Sequence, residues 1–338
     1  MTGPGHLMAA EIAEIPDVID RQLRENLDGY LALGQSWAKE PPIFFATCAR
    51  GTSDQAALFF KYLTEIGTGI PVASLGPSLG SLFDGGLRMT DAAMLAISQS
   101  GASPDLVALT RKAAAGGAKT VALLNTPDSP LGQAADKVLS LAAGPERAVA
   151  ATKSFVASLV AVTAIHVGQT GDRALHDELV SLPKALRREM SGPRLDLRPL
   201  AQARRLFCLG RGLGLAIAGE AALKFKETCL LAAEGASSAE FRHGPLALAD
   251  KDTAALVVLL DDATRPGTEM LIRTLQDRGA SVIVSGAASE AGSHALRHPA
   301  TQAIYEITRI YPAIHALSVS LGFDPDLPPH LVKATLTE

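Results

Sequence analysis

Aromatic residues are scarce in this chain, with one Trp, four Tyr and ten Phe among 338 residues. The apolar content of 47% is carried instead by Ala, Leu, Gly and Val, a composition that suits tightly packed α/β layers. An excess of one charge is also missing. Lys and Arg number 31 against 35 Asp and Glu, a formal net charge of −4, so there is no electrostatic footprint for nucleic acid. No run of about 18 apolar residues occurs, and no membrane span is expected. Cysteine is limited to Cys48, Cys208 and Cys229, with no close pair. That count argues against a disulfide scaffold and against a thiolate metal site. The three are expected to be buried as small apolar side chains, in a reducing cytoplasm. Met1 to Met8 is short and glycine-rich, lacks the apolar core of a secretory leader, and reads either as a loose extension or as lying ahead of a later start at Met8.

What is present is alternation. A helical arm over Ile15–Ala38 is followed by a strand at Ile43–Thr47, a helix at Thr52–Ile66 and a short strand at Val72–Leu75. Then come a strand at Ala92–Ile97, a helix at Pro104–Ala115, strands at Thr120–Leu124 and Val138–Leu141, and a long apolar helix at Thr152–Gly168. A charged helical segment, Arg173–Met190, leads through prolines to a second series. This has a strand at Leu206–Leu209, a helix at Leu215–Leu231, a strand at Ala254–Leu259, a helix at Glu269–Arg278 and a strand at Ser281–Val284. A last strand at Ile304–Ile307 and a helix from Pro312 to Leu321 complete it. Alternation of this kind is the signature of parallel sheets with crossover helices. The two series repeat the same order of parts, which implies two similar α/β domains rather than a solenoid. The expected divisions are an arm at 1–40, a first domain at 41–170, a connector at 171–198, a second domain at 199–322 and a tail at 323–338.

The strongest local signal is Ser98-Gln99-Ser100-Gly101-Ala102-Ser103, a hydroxyl-rich glycine turn between strand and helix. Such a turn aims N–H groups and hydroxyls at the positive end of a helix dipole and suits a phosphate monoester. Gly51-Thr52-Ser53 follows the first strand in the same way, and reads either as part of the ligand site or as a helix cap. The corresponding turn of the second series, Leu260-Asp261-Asp262-Ala263-Thr264, is acidic and would repel phosphate, so one phosphate site per chain is expected. Ala150-Ala151-Thr152-Lys153 opens the long apolar helix, with a lysine set against the dipole preference. On Leu215–Leu231, Glu220, Lys224 and Glu227 are spaced i, i+4, i+7 and form one polar stripe. It is either an ion-paired surface stripe or a place for a proton-shuttling carboxylate. His243 stands before Gly244-Pro245 in a turn, where an exposed imidazole suits proton transfer. His294 and His298 have i, i+4 spacing but no acidic or cysteine partner nearby, so no metal is expected. Gly210-Arg211-Gly212-Leu213-Gly214 lacks the full dinucleotide fingerprint. No cofactor is expected.

Together these stretches resemble the sugar isomerase (SIS) superfamily, and most closely the isomerase portion of glutamine–fructose-6-phosphate aminotransferases. The resemblance covers nearly the whole chain. It runs from Glu11-Ile12-Ala13-Glu14-Ile15-Pro16 through Gly51-Thr52-Ser53, Ser98-Gln99-Ser100-Gly101 and Ala151-Thr152-Lys153. It continues through Leu223-Lys224-Phe225-Lys226-Glu227 and Arg242-His243-Gly244-Pro245-Leu246-Ala247 to Leu331-Val332-Lys333. The resemblance implies two tandem SIS domains, each a flavodoxin-like three-layer α/β/α sandwich, and an active site formed in a homodimer. It implies that Ser53, Ser98, Gln99, Ser100 and Ser103 hold a sugar phosphate, with Thr52, Ala150, Ala151 and Thr152 beside them. By the same resemblance Glu227 moves a proton between C1 and C2, and His243, donated by the neighbouring subunit, assists ring opening. Lys224 lies beside the sugar, and Lys333, on a tail over the site, forms an imine with the open-chain ketose.

The chain departs from that pattern in three ways. No nucleophilic cysteine follows Met1, so no glutaminase portion is expected. Cys48-Ala49-Arg50-Gly51 carries an extra residue, and Ala102 replaces an acid. The expected function is therefore an aminosugar-phosphate deaminase/isomerase that converts glucosamine 6-phosphate to fructose 6-phosphate and ammonia. A fructosamine-6-phosphate deglycase, another phosphosugar isomerase and a non-catalytic sugar-phosphate sensor are the alternatives.

Overall fold

A computed structural model describes residues 3–192, 195–286 and 296–333. The chain forms two compact units. The first comprises Asp17–Glu146, Lys153–Val180 and the tail from Val332; the second comprises the residues up to Pro16, Arg147–Thr152 and Ser181–Leu331.

After α1 (His6–Ala13) and α2 (Ile15–Lys39), the first unit runs β1 (Phe45–Cys48), α3 (Thr52–Thr68), β2 (Val72–Ser74) and α4 (Ser78–Ser81). It continues through β3 (Ala93–Ser98), α5 (Pro104–Ala115), β4 (Lys119–Leu124), α6 (Pro130–Ala134), β5 (Lys137–Ser140) and α7 (Lys153–Thr170). Its five strands are all parallel and ordered β2-β1-β3-β4-β5. The second unit holds the latter part of α8 (Arg173–Met190), then β6 (Arg205–Gly210), α9 (Leu213–Cys229), β7 (Ala233–Ser237), β8 (Thr253–Leu259), α10 (Arg265–Asp277), β9 (Ser281–Gly286) and α11 (Pro299–Ser320). Its four strands are also parallel, ordered β7-β6-β8-β9. The two α/β domains of flavodoxin-like strand order expected from the sequence are present.

Central strands read as unbroken apolar runs because helices cover both faces. Every residue of β3 and of β8 is buried. The few aromatics are concentrated where they seat the first strand. Phe45 of β1 packs edge-on against Trp37 of α2 at 4.8 Å and Phe60 of α3 at 5.5 Å. Helix α7 is buried around nearly its whole circumference, from Lys153 to Val167. Its apolar character reflects a position inside the fold; no described helix is long and apolar enough to cross a membrane. Cys48, Cys208 and Cys229 are free and buried, as expected. Burial raises each thiol, that of Cys48 to about 12 and that of Cys229 to about 11.

Three expectations need correction. The strand at Ile304–Ile307 does not exist, since those residues lie in the middle of α11, a 22-residue helix with Pro312 in its interior. A short apolar run cannot by itself be told from a buried helix segment, and Pro312 is not a helix start. Strand β7 was missed because Ala-Glu-Gly-Ala-Ser has no β-branched or aromatic residue; parallel pairing to β6 holds it. The N-terminal stretch is no loose extension: α1 begins at His6, and Met8 is fully buried. The segment that follows α11 holds α1 in place. Asp324 accepts from Gly5 N, and Asp326 from Leu7 N and Met8 N, each at 2.8 Å, so two tail carboxylates cap α1.

Helices α2 and α7 cross at glycines. A Cβ on Gly34 would stand 2.0 Å from the Ile165 carbonyl oxygen, and one on Gly168 2.3 Å from that of Leu31. Gly34→Ala should therefore destabilise the protein by about 1–3 kcal/mol in urea denaturation, although alanine favours a helix by about 1 kcal/mol. Gly29→Ala in the same helix, whose Cβ meets only Leu139 Cδ2 at 3.8 Å, should be neutral or stabilising.

Candidate active site

In an open parallel sheet, ligands bind beyond the carboxyl ends of the strands where the strand order reverses. In the first unit that point lies between β1 and β3, which pair directly with Cys48 opposite Ala96. The two hydroxyl-rich turns leave these two strands. Gly51 is the N-cap residue of α3 at φ 54°, ψ −127°, a backbone region open to glycine. The N-cap position itself is this glycine, which has no side chain to cap with, and Thr52 and Ser53, both half-buried, open the first turn of the helix. At the second turn Gly101 N donates to Ser98 Oγ at 3.0 Å and Ala102 N to Ser100 Oγ at 3.3 Å. The serine oxygens thus act as acceptors, which leaves their O–H hydrogens for an anion. Ser103 occupies the N-cap of α5 without making a side-chain cap bond. Ser98 is buried, and Gln99, Ser100 and Ser103 are half-buried at the same rim.

A charged pair that sequence reasoning missed lies between these turns. Arg50, the residue before Gly51, donates from Nε to Asp105 Oδ2 at 2.6 Å and from Nη2 to the same oxygen. Asp105 is fully buried in the first turn of α5, and its Oδ1 lies 2.8 Å from Leu106 N. Its charge also helps to raise the Cys48 thiol, after burial itself. The available signal was an arginine inside a glycine turn together with an acid two residues beyond Ser103.

The second unit repeats the frame with different chemistry. Gly212, the N-cap residue of α9, has φ 57° and ψ −128°, close to those of Gly51. Its partner turn is acidic, as the sequence suggested: Asp262 Oδ1 accepts from Thr264 N at 2.7 Å, and Asp261 faces Arg265 at 3.6 Å.

The loop before α7 is held by two buried acids. Glu11 accepts from Arg147 N and Ala148 N within the second unit, to which Ala150, Ala151 and Thr152 also belong. Ala150 and Thr152 are fully buried. In the first unit Glu146 takes Ser154 N at 3.1 Å and Ser154 Oγ at 2.6 Å, placing a carboxylate at the start of α7. Its Oε2 also accepts from Lys333 Nζ at 3.3 Å.

On α9 the predicted polar stripe is an ionic cluster. Lys224 is fully buried between Glu220 Oε1, at 3.5 Å, and Glu227 Oε2, at contact distance. Tyr311 OH on α11 donates to Glu220 Oε1 at 2.9 Å. Glu220 is sealed, whereas the Glu227 side chain keeps 20% of its surface exposed. Burial alone would lower the Lys224 ammonium; the charges of Glu220 and Glu227 outweigh it and raise the group above its ordinary 10.5. A surface stripe is thereby ruled out. After β7, Phe241 is fully buried edge-on against Phe207 at 4.8 Å, which anchors the turn and leaves His243 exposed beside Gly244 at φ 139°.

The first unit therefore gathers Thr52, Ser53, Ser98, Gln99, Ser100 and Ser103, with Lys333 on Glu146, and the second carries Lys224, Glu227 and His243. His298 caps α11, accepting from Ala300 N at 3.1 Å, and His294 lies outside the described residues. Among the described residues no group of three potential ligands could hold a metal ion.

Comparisons with known proteins match the SIS domain at residues 40–167 and 199–320. A glutamine–fructose-6-phosphate aminotransferase from Halobacterium salinarum is 37% identical over 86% of this chain and 51% of its own. That from Bradyrhizobium diazoefficiens is 31% identical over 98% of this chain and 59% of its own, so the chain spans a little over half the length of these relatives. Among solved structures, a "putative phosphosugar isomerase" from Silicibacter pomeroyi superposes with a TM-score of 0.85 at 37% identity, covering 95% of this chain and 99% of that one. The glucosamine-6-phosphate deaminase of Thermotoga maritima superposes with a TM-score of 0.78 at 19% identity, covering 98% and 100%, a likeness of fold.

Because Lys224 separates two acids in a buried place, Lys224→Met should cost about 3–5 kcal/mol in urea denaturation, and adding Glu220→Gln should recover part of it. The raised ammonium stabilises the fold at every pH below 10.5, and this contribution should fade as pH climbs through the folded value.

Proposed function

This chain belongs to the SIS domain family, and from that premise we propose that it is a phosphosugar isomerase that deaminates an amino sugar, glucosamine 6-phosphate. The observation that carries the reading is Glu227, a partly exposed carboxylate held by a buried ammonium on a helix whose other acid, Glu220, is sealed. A base that moves a proton between adjacent carbons must be fixed in place and yet open to substrate. Lys224 supplies the fixing, and the remaining exposure supplies the access.

The phosphate is held by the turn Ser98–Ser103 and by Thr52 and Ser53, while Ala150, Ala151 and Thr152 line the sugar. Binding energy from this remote group orients C1 and C2. His243, exposed on its anchored turn and contributed by a neighbouring copy in a homodimer, assists opening of the pyranose. Glu227 then removes the C2 proton and returns it at C1, which turns the amino aldose into a ketose imine. Water adds to that imine, and fructose 6-phosphate and ammonia leave. Lys333, paired with Glu146, is the amine available for an imine with the open-chain ketose. The sequence of steps consumes one water and needs no redox chemistry. The relatives named as aminotransferases and the isomerase-like neighbour support the substrate class.

Purified protein mixed with glucosamine 6-phosphate should release ammonia and fructose 6-phosphate in equal amounts. Glu227→Gln should lower turnover by about 10²–10⁴-fold while fructose 6-phosphate still binds. Wild-type turnover in that variant would remove Glu227 from its role. Tight phosphosugar binding without turnover of any aldose or ketose phosphate would favour a sensor instead.

A further inference from the structure

We infer that Arg50 makes the phosphate crevice acceptable to an anion by neutralising Asp105, the carboxylate buried behind the turn Ser98–Ser103. The inference rests on the phosphosugar reading of that crevice and adds a positioning residue to it. Asp105 occupies the first turn of α5 and has no exposed side-chain surface. An acid at a helix start interacts favourably with the dipole, but it competes with any second anion at the same end. Burial also keeps its charge poorly screened by salt.

Arg50 removes the conflict. Two of its nitrogens reach one oxygen of Asp105, with Nε at 2.6 Å. Its side chain is 42% exposed, so it stays in contact with solvent, and a guanidinium keeps its charge at any working pH. The residue directly precedes Gly51, the glycine whose positive φ starts the turn carrying Thr52 and Ser53. The pair therefore ties the turn after β1 to the helix that follows β3, so one contact balances charge and holds the two sides of the crevice together. The place of Arg50 immediately before Gly51 in Cys48-Ala49-Arg50-Gly51 brings the counter-ion to this turn.

Calorimetric titration of the full chain with fructose 6-phosphate, fructose and inorganic phosphate tests this. Arg50→Gln should weaken both phosphorylated probes by about tenfold or more, the scale on which a close like charge acts, and leave fructose unchanged. The double variant Arg50→Gln, Asp105→Asn removes both charges and should return to within about threefold of wild type, since the two sites are coupled. Asp105→Asn alone should bind phosphate at least as tightly as wild type; it keeps the test decisive if Arg50→Gln, with an orphaned buried acid, fails to fold. Unchanged affinity in folded Arg50→Gln, a double variant as weak as Arg50→Gln, or weaker binding in Asp105→Asn would each overturn the inference. Wild-type protein that binds inorganic phosphate but not fructose 6-phosphate would instead overturn the phosphosugar function and leave the charge balance standing.

Discussion

When the chain leaves β1, crosses to β2 on one side and then returns to β3 on the other, the helices after β1 and β3 must lie on opposite faces of the sheet. Their N-termini diverge, and a crevice opens at the ends of those two strands whatever the side chains are. Both units obey this constraint, with strand orders β2-β1-β3 and β7-β6-β8. The backbone repeats so closely that Gly51 and Gly212 adopt nearly the same unusual φ and ψ. The fold thus supplies two similar crevices, and side-chain chemistry decides what each can hold. Serines line one, with Arg50 paired to the buried Asp105 behind them; at the other, Asp262 takes Thr264 N of its own turn and Asp261 faces Arg265.

Buried charge recurs in this protein, always in company. Asp105 has Arg50, Glu146 has Ser154 and Lys333, and Lys224 has two glutamates. Glu306 is raised by burial in spite of Arg309 and Ser285 beside it. Each such group is costly when orphaned and directional when paired. That explains why these positions carry charge in the interior of a molecule otherwise built from small apolar side chains. They fix the geometry of loops and helix ends that the apolar layers alone would leave free to slide.

Much of the fold was legible because its period is simple. Unbroken apolar runs marked β3 and β8, and α5 was bounded by Ser103 and Pro104 at one end and glycine at the other. What failed had weak or ambiguous local signals. Strand β7 has almost nothing apolar to show, and Ile304–Ile307 is apolar in either a helix or a strand. The caps of α1 come from Asp324 and Asp326, more than 300 residues away, and no local pattern announces them. Among the candidate site residues, the hydroxyl turns stood out for their composition and the α9 stripe for its spacing. Whether that stripe faced water or the interior was undecidable, since helical periodicity gives a face and not its surroundings.

The sequence by itself determined the α/β class, the repeat, the two glycine–hydroxyl turns and the residue types able to bind an anion and move a proton. These follow from local rules of periodicity, turn chemistry and spacing. Only the tertiary structure decided which of those residues are buried, that Lys224 and Glu220 are sealed while Glu227 stays open, and that Arg50 meets Asp105. Such facts depend on contacts between segments far apart in the chain, and desolvation is a property of the packed whole.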